Sequence, residues 1–208
     1  MCPFILQDTV DDVPVLTNFL VLTTAFFYKN FIKDVVGYAK NLSESGQSVL
    51  VFDGSLGLGD LNCASAFCNP DIEAVLDGKK AISVLIKQNE QIDWISGVSK
   101  KINLGTCSDI QFCNLLSDLN LLGKNYQNVL IYAPPTLPYV QRFFCQRLDS
   151  LCFTQVDEES IAKAIELISV FPQMKCYLNA KKKYLSVMQA IQLTEIAEKE
   201  KILYNFTE

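Results

Sequence analysis

The chain has 208 residues, 50% hydrophobic and 20% charged, with 18 basic against 23 acidic side chains. A chain of that length can bury about 70% of the surface it would expose unfolded, so one full core is possible without disulfides or metal, and a single domain over residues 1–208 is the expectation. A formal net charge of −5 leaves no broad positive field, which argues against nucleic acid as the main partner, and the absence of any histidine removes Ser-His-Asp and Cys-His nucleophiles together with the commonest zinc sites.

The first long uncharged stretch, Val13 to Tyr28, has 16 residues and includes Pro14, Asn18 and three threonines. That is short of the ~20 apolar residues a membrane span needs. Asp8, Asp11 and Asp12 replace the basic region that would open a secretory leader. A cytoplasmic chain is expected, touching membrane at most peripherally or indirectly.

Seven short apolar runs then read as buried strands: Leu20 to Thr24, Ser48 to Asp53, Ile92 to Ser96, Asn128 to Tyr132, Ser150 to Thr154, Lys175 to Asn179 and Ile202 to Phe206. They are continuous rather than alternating, as strands covered on both faces are. Between them lie helix-like segments at Phe27 to Ser45, Asp109 to Leu122, Leu137 to Leu148, Asp157 to Phe171 and Lys182 to Lys199. Asp157, Glu158 and Glu159 suit a first helical turn, and Ile161, Ala164, Ile165 and Ile168 follow at helical spacing. This alternation predicts an α/β fold, doubly wound, with a mostly parallel sheet of about seven strands and helices on both faces. Lys181, Lys182 and Lys183 read as the solvated start of a helix. The eight cysteines form no C-x-x-C pair and read as reduced core residues. The lone Trp94 also reads as core.

In such a sheet ligands bind at the carboxyl ends of the strands. The strand Ser48 to Phe52 is followed by Asp53, then Gly54-Ser55-Leu56-Gly57-Leu58-Gly59-Asp60-Leu61-Asn62. This strand-Asp-x-x-x-G-L-x-x-L pattern resembles the MinD/ParA family of deviant P-loop ATPases, in particular its MinD and FlhG branch, whose strand ends in D-x-D-x-G-L-x-N-L-D. The resemblance extends along the chain. Asn69 to Gly78 is similar to the family's short helix ending in V-L-x-G, and Ile92 to Gly97 to the strand after it. Tyr126 to Pro135 matches Y-D-x-V-L-I-D-x-P, and Leu148 to Thr154 is similar to the A-D-E-x-x-x-V-T strand. The resemblance implies a three-layer P-loop NTPase-like architecture.

The phosphate site departs from that pattern. Counted back from Asp53 without a gap, Ala25 to Lys33 falls where relatives carry G-K-G-G-x-G-K-T-T. Every glycine whose backbone would cradle phosphate is replaced. Phe26 stands for the signature lysine that crosses a dimer, Phe31 for the phosphate-binding lysine and Ile32 for the hydroxyl that ligates Mg2+. Ser55 stands for the second acid after Asp53, and Tyr132 for the acid that holds Mg2+ through water. Asp53 is retained, as a strand-end cap or a surviving metal-site acid. The resemblance, with these losses, implies a degenerate nucleotide site with no catalytic residue, no metal and no cofactor.

The function expected is a non-catalytic pseudo-ATPase, a scaffold or regulator in positioning a cell-envelope machine such as a flagellum, a division site or a segregation complex. Its partner would be another protein or a second copy, independently of nucleotide, through Phe26, Phe27, Tyr28 and the stiff Pro134-Pro135 loop. Two alternatives stay open: a residual nucleotide-binding switch, and an unrelated α/β binding module whose loop after Asp53 imitates the family.

Overall fold

The computed structural model describes residues 18–24, 31–54, 72–89, 92–95, 108–132, 149–154, 158–170, 174–181 and 203–207. Eight strands form one sheet in these residues: β1 (Phe19–Thr24), β2 (Val49–Asp53), β3 (Ile86–Asn89), β4 (Ile92–Ile95), β5 (Asn128–Tyr132), β6 (Asp149–Thr154), β7 (Met174–Lys181) and β8 (Leu203–Thr207). Their order is β3-β4-β2-β5-β1-β6-β7-β8. All neighbours run parallel except the edge strand β3, which pairs antiparallel with β4.

The central strands bury both alternations. Leu22, Val49, Val51, Leu130 and Tyr132 face one way and Val21, Leu50, Phe52, Val129 and Ile131 the other, and all are buried. This double burial makes the strands read as unbroken apolar runs. The first set packs under α1 (Phe31–Glu44), whose Phe31, Val35 and Ala39 recur every four residues on its buried face. Helix α1 stops in a Schellman arrangement at Gly46, with φ of 84°. Gly46 N–H donates to Ser43 O at 2.9 Å and Gln47 N–H to Leu42 O at 3.2 Å.

The short α2 (Ile72–Leu76) ends in the same way at Gly78, φ 68°, where Lys79 N–H reaches Ala74 O at 2.7 Å. A 3-10 turn at Ile82–Leu85 leads into β3. Helix α3 (Asp109–Gly123) opens with a capping box in which the Ser108 hydroxyl accepts from Gln111 N–H at 3.2 Å and the Gln111 side chain accepts from Ser108 N–H at 3.0 Å. At its other end Gly123 lies against Phe19 and Val129, on the face of the sheet opposite α1. Asn18 Nδ2 donates to Gly123 O and Tyr126 O, both at 2.8 Å, joining β1 to the end of α3. Helix α4 (Glu158–Val170) packs beside β6 and β7, with Ala164 buried and an exposed Glu159–Lys163 pair at 2.7 Å.

Three expectations are corrected. Strand β3 is absent from the expected strands: Ile86-Lys87-Gln88-Asn89 has no apolar run, and the segment joins the sheet as an edge strand antiparallel to β4. Lys181 is the last residue of β7 rather than part of a helix start. Cys113 is exposed on α3, whereas Cys152 is buried as expected. Trp94 is buried in the cluster beneath α1. The expected helices Leu137 to Leu148 and Lys182 to Lys199, and the start of the one placed from Phe27, lie outside the described residues. No helix among the described residues is long and apolar enough to cross a membrane.

Candidate functional site

The strand after β1, β2, stands two places to one side of it in the sheet, and the strand after β5, β6, stands two places to the other. Since β1 and β5 are neighbours, their carboxyl ends flank the topological switch point, where an open α/β sheet forms its ligand crevice. Four residues singled out from the sequence converge there. Tyr132 is the last residue of β5 and pairs in register with Asp53, the last residue of β2, and with Leu22 of β1. Phe31 is the first residue of α1, which follows β1. Ile32 is next to it, partly buried against the same cluster.

These side chains form a packed apolar contact. Phe31 and Tyr132 are fully buried, with ring centroids 5.3 Å apart and planes tilted by 33°. The ring of Phe153, near the end of β6, is centred 5.9 Å from that of Phe31, and Tyr38 of α1 meets Phe153 edge-on at 6.1 Å. Offset and edge contacts in this distance range are the favourable aromatic geometries. The ends of β5 and β6 and the start of α1 are therefore joined by aromatic rings. Asp53 is fully buried at the rim of this cluster, and the chain beyond it turns at Gly54, whose N–H donates to Tyr132 O at 2.8 Å.

The resemblance implies a nucleotide with Mg2+ at this place, and the described residues do not fit that group. A phosphate needs an ammonium or converging N–H donors, and Mg2+ needs oxygen ligands. Phe31 supplies a ring in contact with Tyr132, Ile32 an alkyl chain, and Tyr132 a side chain closed off from solvent. Among the described residues no cluster of three or more His, Cys, Asp or Glu side chains has the arrangement of a metal site. Phe26, Phe27, Tyr28, Ser55, Pro134 and Pro135 lie outside the described residues.

Away from the switch point, sequence reasoning missed one polar contact. Tyr126 donates its phenolic O–H to Asp93 Oδ2 at 2.6 Å, joining the turn before β5 to β4. Burial, then the hydrogen bond and the charge of Asp93, push the Tyr126 phenol well above its ordinary value. The partners lie 33 positions apart, and neither sits in a local pattern that would mark the pair.

No family model matches the sequence, and no curated protein does. Solved structures do. A chain of the MinC:MinD cell division protein complex of Aquifex aeolicus is similar with a TM-score of 0.67 and 17% identity, over 92% of this chain and 82% of that one. A ParA family ATPase from Chlorobium tepidum TLS gives 0.65 and 15%, over 92% and 85%. A plasmid partition protein from Borrelia burgdorferi gives 0.66 and 13%, over 92% and 90%. At these identities the likeness is one of architecture: parallel strands and helices are arranged as in MinD/ParA-type P-loop ATPases.

Proposed function

We propose that this chain is a non-catalytic relative of the MinD/ParA ATPases, of the MinD/FlhG-like branch, with a three-layer doubly wound fold retained as a protein-interaction scaffold or regulator. The observation that carries the reading is the contact between Phe31 and Tyr132. The gapless count from Asp53 assigns them to the phosphate-binding lysine and the Mg2+-site acid, and both rings are fully buried against each other at the switch point. Losing one ligand leaves a variant enzyme; replacing two by mutually packed aromatics removes the charge that nucleotide hydrolysis uses and makes the positions part of the core.

The solved structures of similar fold come from a cell division complex and a plasmid partition protein. By analogy of fold the scaffold acts in positioning or assembling a cell-envelope machine, a flagellum, a division site or a segregation complex. Its contacts are with another protein or a second copy, and nucleotide does not gate them. A thermal-shift series with ATP-Mg2+ and ADP tests the reading. A ligand at 100 times its Kd stabilises a fold by about 2.7 kcal/mol, so an unchanged midpoint at millimolar nucleotide is expected. A clear upward shift overturns the proposal and favours a residual nucleotide switch, the second reading, which the retention of Asp53 at the end of β2 supports.

A further inference from the structure

Three large apolar side chains among the described residues are substantially exposed: Ile110 at 74%, Leu121 at 60% and Val84 at 56%. On α3, Ile110, Asn114, Ser117 and Leu121 are all exposed and follow one another at spacings of four, three and four, which on a helix is a single stripe. None of the four is charged. Val84 stands in the 3-10 turn packed beside α3 and adds to the apolar area. A helix packed on its own fold ordinarily turns a charged face to solvent.

We propose that α3 packs antiparallel against α3 of a second copy of this chain, along this stripe and about a twofold axis. A contact of that symmetry uses the same patch on both sides, so the patch has to match itself read in reverse. The spacing four, three, four is the same from either end. With the axis level with the midpoint of Leu115 and Leu116, Ile110 of one copy meets Leu121 of the other, apolar on apolar. Asn114 meets Ser117, amide on hydroxyl, and each pairing occurs twice. Charge passes the same test. The charged residues of α3 and its end are Asp109, Asp118 and Lys124. Asp109, which also has a contact within its own chain, is exposed and comes within two positions of the exposed Lys124 of the other copy, at both ends of the pair. A parallel arrangement would instead set Asp109 against Asp109 and Lys124 against Lys124. The half-buried Asp118 falls beside Asn114 of the other copy, an amide rather than an acid. The two Asp118 carboxylates are offset along the axis by about 7.5 Å. Asp77 and Lys79, next to the first turn of α3, are paired with each other at 2.9 Å, and Lys80 has a contact in its own chain, so none of the three enters the match. The dipoles of antiparallel helices also attract. One helix face and its adjoining turn make a small interface, at or under the roughly 1,200 Å2 that marks the low end of specific contacts, so the dimer dissociates at micromolar concentration. This contact gives a surface to the second copy named under the proposed function, and it uses no residue of the switch point.

Sedimentation equilibrium of the full chain over the micromolar range tests the contact, without nucleotide, so that its outcome is independent of the thermal-shift test above. The native chain should pass from monomer to dimer as concentration rises. Leu121→Asp and Ile110→Asp, at opposite ends of the stripe, should each weaken association by about tenfold or more, since each buries a carboxylate against an apolar side chain. Both positions are solvent-exposed in the monomer, and a native circular dichroism spectrum certifies the fold of each variant, so that one reports if the other misfolds. Lys124→Glu should weaken association by about threefold, the size of a rim ion pair, and adding Asp109→Lys to it should restore the native value. A monomer at every concentration overturns the proposal. A dimer that Leu121→Asp and Ile110→Asp leave intact also overturns it and assigns association to another surface.

Discussion

Phe31 and Tyr132 lie about half the chain apart and touch in the fold, so each helps to pack the other. Truncating Phe31 to Ala should cost about 3 to 5 kcal/mol, the range for a buried Phe whose cavity cannot collapse, read as a lowered urea midpoint. Tyr132→Asp puts in the residue type that the resemblance implies yet should be more destabilising than Tyr132→Phe, because it places a carboxyl against the rings of Phe31 and its neighbours. It should not bring ATP binding with it, as a thermal-shift series on that variant will show. Tyr126 makes a second prediction at this scale. Its phenol is held above the ordinary value by burial and by Asp93, so its protonated form is the one the fold favours. The stability it contributes is fully present below about pH 10, the unfolded value, and is lost as pH rises beyond it. Tyr126→Phe should therefore flatten the alkaline decline of the unfolding free energy above that pH, while costing about 1 to 2 kcal/mol at neutral pH through the lost bond to Asp93.

Within elements, two helical glycines respond oppositely to the same change. Gly37 is in the middle of α1, and a Cβ built there meets nothing within 4 Å. Gly37→Ala should raise stability by about 0.5 to 1 kcal/mol through helix propensity. Gly123 ends α3, where a Cβ would lie 2.8 Å from Phe19 Cε2 and 3.2 Å from Val129 Cγ2. Phe19 is itself buried in the sheet and has little room to yield. Overpacking of about 1 to 3 kcal/mol then exceeds the propensity gain, and Gly123→Ala should destabilise. Chemical denaturation of the two variants, measured side by side, checks both signs. Glycine serves a different purpose at Gly46 and Gly78, where left-handed backbone lets α1 and α2 close their last carbonyls onto following N–H groups.

For the whole molecule, the prediction concerns assembly. In the family the resemblance implies, the signature lysine reaches the partner's nucleotide and couples dimerisation to ATP. The gapless count from Asp53 that the proposed reading rests on puts Phe26 at that position, and an aromatic ring cannot make a charge-assisted contact to phosphate. Sedimentation at several protein concentrations should give the same association state with and without ATP-Mg2+, whether monomer or dimer. An ATP-dependent shift to dimer contradicts the scaffold reading at the level of the molecule, independently of any single substitution.

The sequence by itself determined the sheet's interior. Strands β1, β2, β4, β5 and β6 are legible because burial on both faces demands uninterrupted apolar runs, and that demand acts residue by residue along the chain. The carboxyl-end position of Asp53 and Tyr132 follows from the same runs, and α4 follows from its periodicity and first-turn acids. What only the tertiary structure decided are matters between segments. Strand β3 exists because β4 offers it an edge, with no apolar run of its own to announce it. The exposure of Cys113 depends on which side of α3 turns to the sheet, and the low contrast between that helix's two faces hides the answer from periodicity. The bonds of Asn18 to the end of α3 and of Tyr126 to Asp93 join residues that no local pattern connects. The packing of Phe31 on Tyr132 belongs here as well: the sequence shows two aromatics at positions where the resemblance implies charges, but only the crossing of α1 over the strand ends brings the rings together. Local pattern records what each residue needs from its surroundings, and long-range pairing decides which residues supply it.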